Sequence, residues 1–331
     1  MSQIDVYGIG NALVDTEFEV DDSFFEEAGI QKGFMTLIEE EQQKNILSML
    51  SANYPVKKKA GGGSAANTLY AISQFGGHAF YACRVAGDET GDYYLSELGD
   101  HNIRTNQTDS KPNGNTGQCL VMVTPDAERT MLTHLGVSSD VSVADLDLDI
   151  ATTAKYVYME GYLVSSDSAR QAVLTLKQAA RDAGIPVAFT FSDPAMVEYF
   201  KDGVKEVMDG GVDLLFCNEQ EACIWAETDD FSAACEMLKK SATQFVVTRG
   251  AKGALLFDGQ SYIQIPGNKV TAVDTNGAGD MFAGAFLYGL TQGMGFEQSG
   301  RLASFASATV VTSFGPRLTP DEHTSLLQQF S

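Results

Sequence analysis

Basic residues are scarce in this chain. Its 331 residues hold 22 Lys and Arg against 44 Asp and Glu, a formal net charge of −22. That sign argues against nucleic acid or an acidic membrane as a partner, because both need basic patches. It also weighs against a phosphorylated sugar as substrate. The one basic run, Lys57-Lys58-Lys59, reads as the solvated face of a loop. Long apolar runs are missing too; none approaches the roughly 20 residues of a membrane span. The start, Met1-Ser2-Gln3-Ile4-Asp5, has neither a basic stretch nor an apolar core, which predicts no secretion signal. Cysteine is sparse and odd in number. Cys83, Cys119, Cys217, Cys223 and Cys235 lie far apart and read as reduced thiols of a cytoplasmic protein. The histidines, His78, His101, His134 and His323, show no ligand spacing, so no structural metal is expected. There is no internal repeat, low-complexity linker or charged tail.

What is present fits an enzyme-sized α/β chain. Short β-branched or aromatic runs predict strands over 4–9, 79–86, 156–162, 186–192, 213–217, 244–249 and 253–258. Helical patterns fall over 64–75, 168–183, 219–226, 230–241, 278–292, 296–312 and 320–330. This alternation implies a mostly parallel sheet with helices on both faces. Segments 12–20, 33–38, 117–124 and 129–135 look strand-like without intervening helices of similar weight. They predict a small second sheet. The expectation is one continuous domain, 1–331, with a β-rich lid from about 12–38 and 112–136.

Asp274-Thr275-Asn276-Gly277-Ala278-Gly279-Asp280 is the most telling stretch. It runs into Ala278, Met281, Phe282, Ala285, Phe286 and Leu290, spaced by three and four as one buried helix face. The glycines therefore sit where a helix begins, and its free N–H groups and dipole attract an anion. A carboxylate beside that anion suggests phosphoryl transfer, with Asp280 taking a proton from an attacking hydroxyl. Gly61-Gly62-Gly63-Ser64-Ala65-Ala66-Asn67 opens a second helix in the same manner. Asn67, one turn in, could reach a sugar hydroxyl. Gly8-Ile9-Gly10-Asn11-Ala12-Leu13-Val14-Asp15 lacks the third glycine and the helix of a dinucleotide fingerprint. It reads as a tight turn before a strand, with Asp15 either a turn residue or an acceptor for a vicinal diol. Asn218-Glu219-Gln220-Glu221 ends a buried strand and, on its own, reads better as a helix cap than as a ligand.

These strings together resemble the ribokinase-like (PfkB) carbohydrate and nucleoside kinases, over essentially residues 4–316, and the G-N-x-L-x-D start resembles their adenosine-kinase-like branch. The resemblance implies a three-layer α/β/α domain with a small β-sheet lid. It implies that Asp280 is the base and that Gly277, Ala278 and Gly279 hold the charge developing on the transferred phosphoryl. Arg129 matches an arginine that approaches that phosphoryl. Asn11, Asp15, Gly62, Gly63 and Asn67 would hold the acceptor's hydroxyls. Asn218, Thr248, Gly250 and Gly253 would serve ATP, and Glu221 would order Mg2+ through water. Family members often use a monovalent cation such as K+ near the last loops, which singles out Gly315. Phe18, Met35, Leu37, Met122 and Leu135 are candidate walls for a base. The expected acceptor is adenosine at its 5′-hydroxyl, with ribose, fructose or a related sugar as the alternative, and the chain is expected to work as a monomer or homodimer. A silent nucleotide sensor on this fold is disfavoured by the intact Asp280.

Overall fold

A computed structural model describes residues 3–106 and 111–330; the outermost ends of the expected domain and of the N-terminal stretch lie outside them. Along the chain the strands are β1 Val6–Ile9, β2 Leu13–Glu19, β3 Met35–Leu37, β4 Val56–Gly62 and β5 Ala79–Ala82. They continue as β6 Ile103–Thr105, β7 Gly117–Val123, β8 Arg129–His134, β9 Tyr156–Glu160 and β10 Val187–Thr190. The last are β11 Val212–Asn218, β12 Ala242–Thr248, β13 Ala254–Phe257 and β14 Tyr262–Ile265.

The large sheet has the order β14-β13-β12-β11-β10-β9-β1-β5-β6. It is parallel from β12 to β6, with β13 and β14 antiparallel at one edge. Its central strands are buried on both faces, as parallel strands between helices must be. In β11, Leu214 and Phe216 pack on one face, against the helices Ser64–Gln74, Ala278–Thr291 and Phe296–Val310. Leu215 and Cys217 pack on the other, against Asp167–Asp182 and its neighbours. Neighbouring side chains diverge because the strand period is two. Strand order reverses direction at β1, which lies between β9 and β5. In open α/β sheets the crevice beyond the strands' carboxyl ends at such a switch point is where ligands bind.

The small sheet has the order β3-β8-β7-β2-β4. Its outer face carries Phe18, Leu120, Met122 and Leu132 beneath the helices Asp22–Ala28 and Glu40–Asn53. Two expectations change here. The lysine run is not a loop: Lys57, Lys58 and Lys59 belong to β4, which pairs antiparallel with β2 at the sheet's edge. Lysines on an edge strand discourage pairing with another chain, so a charged strand reads like a loop in sequence. The strand-like segments are also not helix-free, because Glu40–Asn53 lies between them and buries Gln43, Ile46 and Leu50 at three- and four-residue spacing. None of the five cysteines forms a disulfide among the described residues. Among the described residues no helix is long and apolar enough to cross a membrane.

Candidate active site

Two cavities open beside the carboxyl ends of the central strands, and they meet at Thr275, Ala278 and Gly279, which line both. The first lies between the two sheets. It collects Asn11, Asp15, Gly63, Asn67, Arg129, Gly277, Ala278, Gly279 and Asp280, all expected from sequence. The second collects Thr248, Gly250 and Gly253 together with Asn268, Phe282 and Ser307. The turn that opens the helix Ala278–Thr291 thus borders both cavities.

That turn is built locally. Gly277 caps the helix with φ 71°, in the left-handed region, and a Cβ there would lie 2.5 Å from Pro316 Cα. Gly279 differs, because a Cβ on it would meet nothing within 4 Å. The space beside it is open to both cavities, and its missing side chain serves no contact of the fold. Of the three N–H groups expected at the anion, that of Ala278 donates to Thr275 O at 3.3 Å. The hairpin of β7 and β8 reaches the same turn: Arg129 Nη1 donates to Asn276 Oδ1 at 3.2 Å and Thr275 Oγ1 to Ala127 O at 3.2 Å.

Asp280 is held from the other glycine motif. Ser64 Oγ donates to its Oδ1 at 2.6 Å and Asn67 Nδ2 to its Oδ2 at 3.0 Å. Burial raises the pKa of Asp280 above the usual carboxylate range, while these two donors, Arg129 and Arg317 pull the other way. Asp15 sits across the cavity. Burial pushes its pKa up to about 7, opposed by Arg317 and reinforced by Asp280 and Glu97. Gly62 lines neither cavity; it lies under Asp15, where any Cβ would overlap the carboxylate. Its part is to let Asp15 fold down onto β4, with its carbonyl accepting from Tyr94 Oη at 2.9 Å.

Glu160 was not foreseen. At the end of β9 and fully buried, it accepts from Asn11 N at 2.6 Å and Ala65 N at 2.7 Å, tying the first two glycine turns together. Burial pushes its pKa up to about 8 against those two bonds. Nothing near it in sequence signals this, since its partners lie 149 and 95 residues away. Ser64, Cys119, Met131, Tyr162 and Ser192 also line the first cavity unforeseen.

Asn218 and Glu221 are not brought to either cavity. They close on each other as a capping box. Glu221 N donates to Asn218 Oδ1 at 2.8 Å, and the Glu221 carboxylate accepts from Asn218 N at 2.9 Å and Nδ2 at 2.8 Å. Burial pushes the Glu221 pKa up to about 8. No cluster of three or more His, Cys, Asp or Glu suited to a metal occurs among the described residues. Gly315 donates its N–H to Asp274 Oδ2 at 2.8 Å. Of the expected wall residues, Met35, Leu37 and Leu135 line the first cavity, while Phe18 and Met122 pack on the outer face of the small sheet. Alternation decides this: on β7 the cavity receives Cys119 and the outer helices receive Met122.

The model of the pfkB family carbohydrate kinases matches residues 44–323. An adenosine kinase from Sinorhizobium meliloti is 33% identical, with 99% of this chain and 100% of that one covered at a TM-score of 0.93. A probable sugar kinase from Rhizobium etli is 32% identical, with both chains covered in full and a TM-score of 0.92. Adenosine kinase of Saccharomyces cerevisiae is 26% identical over 93% of this chain and 95% of its own length.

Proposed function

The chain belongs to the pfkB family of carbohydrate kinases, and from that premise we propose that it transfers the γ-phosphoryl of ATP to the 5′-hydroxyl of adenosine. It is an ATP-dependent phosphotransferase, and magnesium is the family's usual companion of the nucleotide. The observation that carries the acceptor is the lining of the first cavity, which beside its polar groups includes the apolar side chains Leu13, Met35, Leu37, Met131 and Leu135. A free sugar has little apolar surface to set against these side chains, whereas a purine has a broad apolar face.

In this reading the Asp15 carboxylate accepts two hydroxyls of the ribose diol, and the 5′-hydroxyl points to Asp280. Asp280 takes the proton as the oxygen attacks, with Ser64 and Asn67 holding its two oxygens. Charge on the transferred phosphoryl is met by the turn Gly277–Gly279 and by the Arg129 guanidinium. Phosphoryl transfer depends mainly on alignment and electrostatics, so the hold of Ser64 and Asn67 on Asp280 matters more than its strength as a base. Magnesium, when bound with the nucleotide, neutralises phosphate charge; no step of this mechanism runs through Glu221, whose oxygens are taken by Asn218. A K+ requirement belongs to the same proposal, supported by the two late loops converging at Asp274 and Gly315. The few, widely spaced cysteines support a cytoplasmic location.

A sugar kinase is the second reading, because the Rhizobium etli relative is as similar as the Sinorhizobium one. Adenosine, inosine, ribose and fructose offered at equal concentration with ATP and magnesium decide between them by ADP release. Stacking and apolar contact of a purine are worth ~1–3 kcal/mol, so kcat/KM for adenosine should exceed that for ribose by about tenfold or more. Preferred turnover of a free sugar would remove adenosine and leave the kinase.

A further inference from the structure

Arg317 lies in the segment after the helix Phe296–Val310 and is 7% exposed. It lines neither cavity, yet it is tied to the site from behind. Its Nε donates to Asn67 Oδ1 at 2.8 Å, and its Nη1 to Glu97 Oε1 at 2.9 Å. The guanidinium lies over the Tyr70 ring, 4.8 Å from its centroid. The other Glu97 oxygen accepts from Gly61 N at 2.6 Å, which fastens the arrangement to the glycine motif. Nη2 is buried without a hydrogen-bond partner among the described residues. A buried donor left unmatched costs stability, so packing alone is a poor reason for an arginine here.

The chemistry of the chain Glu97–Arg317–Asn67–Asp280 has one direction. Arginine only donates and stays charged, so it can face only the oxygen of the Asn67 amide. The nitrogen of that amide is then turned to Asp280, an acceptor. A terminal amide otherwise rotates over a broad two-fold torsion. We propose that Arg317 is a positioning residue for the transfer step: braced by Glu97 and Tyr70, it fixes the Asn67 amide so that Asn67 holds Asp280 in line with the acceptor hydroxyl. This rests on the reading of Asp280 as the base.

The test is a double-mutant cycle with adenosine and ATP, using Arg317→Met, Asn67→Ala and the pair, with Arg317→Lys as the milder variant and Asp280→Asn as control. If Arg317 acts through Asn67, Arg317→Met lowers kcat on the order of tenfold in the native background and by less than about twofold when residue 67 is Ala. KM for ATP stays within about twofold, because the second cavity is untouched. Arg317→Lys keeps one donor in place of a fork and falls between. A thermal melt of each variant confirms that folded protein is assayed; if Arg317→Met does not fold, the cycle is run with Arg317→Lys. Equal losses in both backgrounds, or a rise in KM for ATP in place of a fall in kcat, overturn the proposal while Asp280→Asn remains inactive. An active Asp280→Asn variant overturns the base reading itself, and the role of Arg317 with it.

Discussion

Gly279→Ala should raise stability and destroy turnover. Gly279 stands in the first turn of the helix Ala278–Thr291, and a Cβ built on it meets no atom within 4 Å. The folded protein therefore accepts the methyl group without a clash. Alanine also loses less backbone freedom than glycine on entering a helix, worth roughly 0.5–1 kcal/mol. For a chain of this size that is a rise in Tm of about 1–3 °C. The same methyl projects from a residue that lines both cavities, where the proposed reaction would pass the phosphoryl. Pushing the reacting atoms apart by ~1 Å costs on the order of 10²-fold in kcat, equivalent to about 2.7 kcal/mol. Gly277→Ala is the counterpart: with φ 71° and Pro316 Cα 2.5 Å from the added atom, it should lower Tm and activity together. A thermal melt and an ADP-release assay on the two variants give the result. A Gly279→Ala protein with kcat within threefold of native, by the scale of that misplacement effect, would refute the claim that the phosphoryl crosses at this residue. A fall in its Tm would refute the claim that the space is open.

Asp15→Ala should raise KM for the acceptor far more than KM for ATP, because a charge-assisted pair of hydrogen bonds is worth ~2–4 kcal/mol; the opposite split would place Asp15 on the nucleotide side. Stability should fall as pH rises from about 5.5 to 8. Burial raises the pKa values of Asp15 to about 7 and of Glu17, Glu160 and Glu221 to about 8, whereas unfolded carboxylates titrate near 4. Within that window the native state holds more protons than the unfolded chain, so each group subtracts up to about 1.4 kcal/mol per pH unit. Melts across the window should show Tm falling, with a shallower slope for Glu17→Gln; a Tm that climbs toward pH 8 contradicts this.

The turn at Asp274–Asp280 and its helix were legible because everything that makes them lies within a few residues: glycines free of a Cβ, and apolar positions at helical spacing. The alternation that implied a parallel sheet was legible for the same reason. The structural reading of Asn218 and Glu221 as a helix cap was available too, since a capping box spans only three residues. The part the resemblance gives that pair, nucleotide binding by Asn218 and ordering of Mg2+ through water by Glu221, falls on residues that line neither cavity. The lysines of β4 hid a strand, because an edge strand takes its pattern from the neighbour it pairs with. Phe18 and Met122 pointed outward because the side of a pleat that becomes a wall depends on which face the helices cover. The partnerships of the site belong wholly to the tertiary structure. Ser64 meets Asp280 across 216 residues, Glu160 meets Asn11 across 149, and Arg317 meets Asn67 across 250. By itself the sequence determined the local turns, the helix starts and the residue types of a phosphoryl-transfer site, since backbone hydrogen bonds and periodicity act over about four residues. Only the packing of two sheets decided which buried carboxylates line the first cavity and which tie segments of the chain together, since those contacts join segments whose approach no local pattern records.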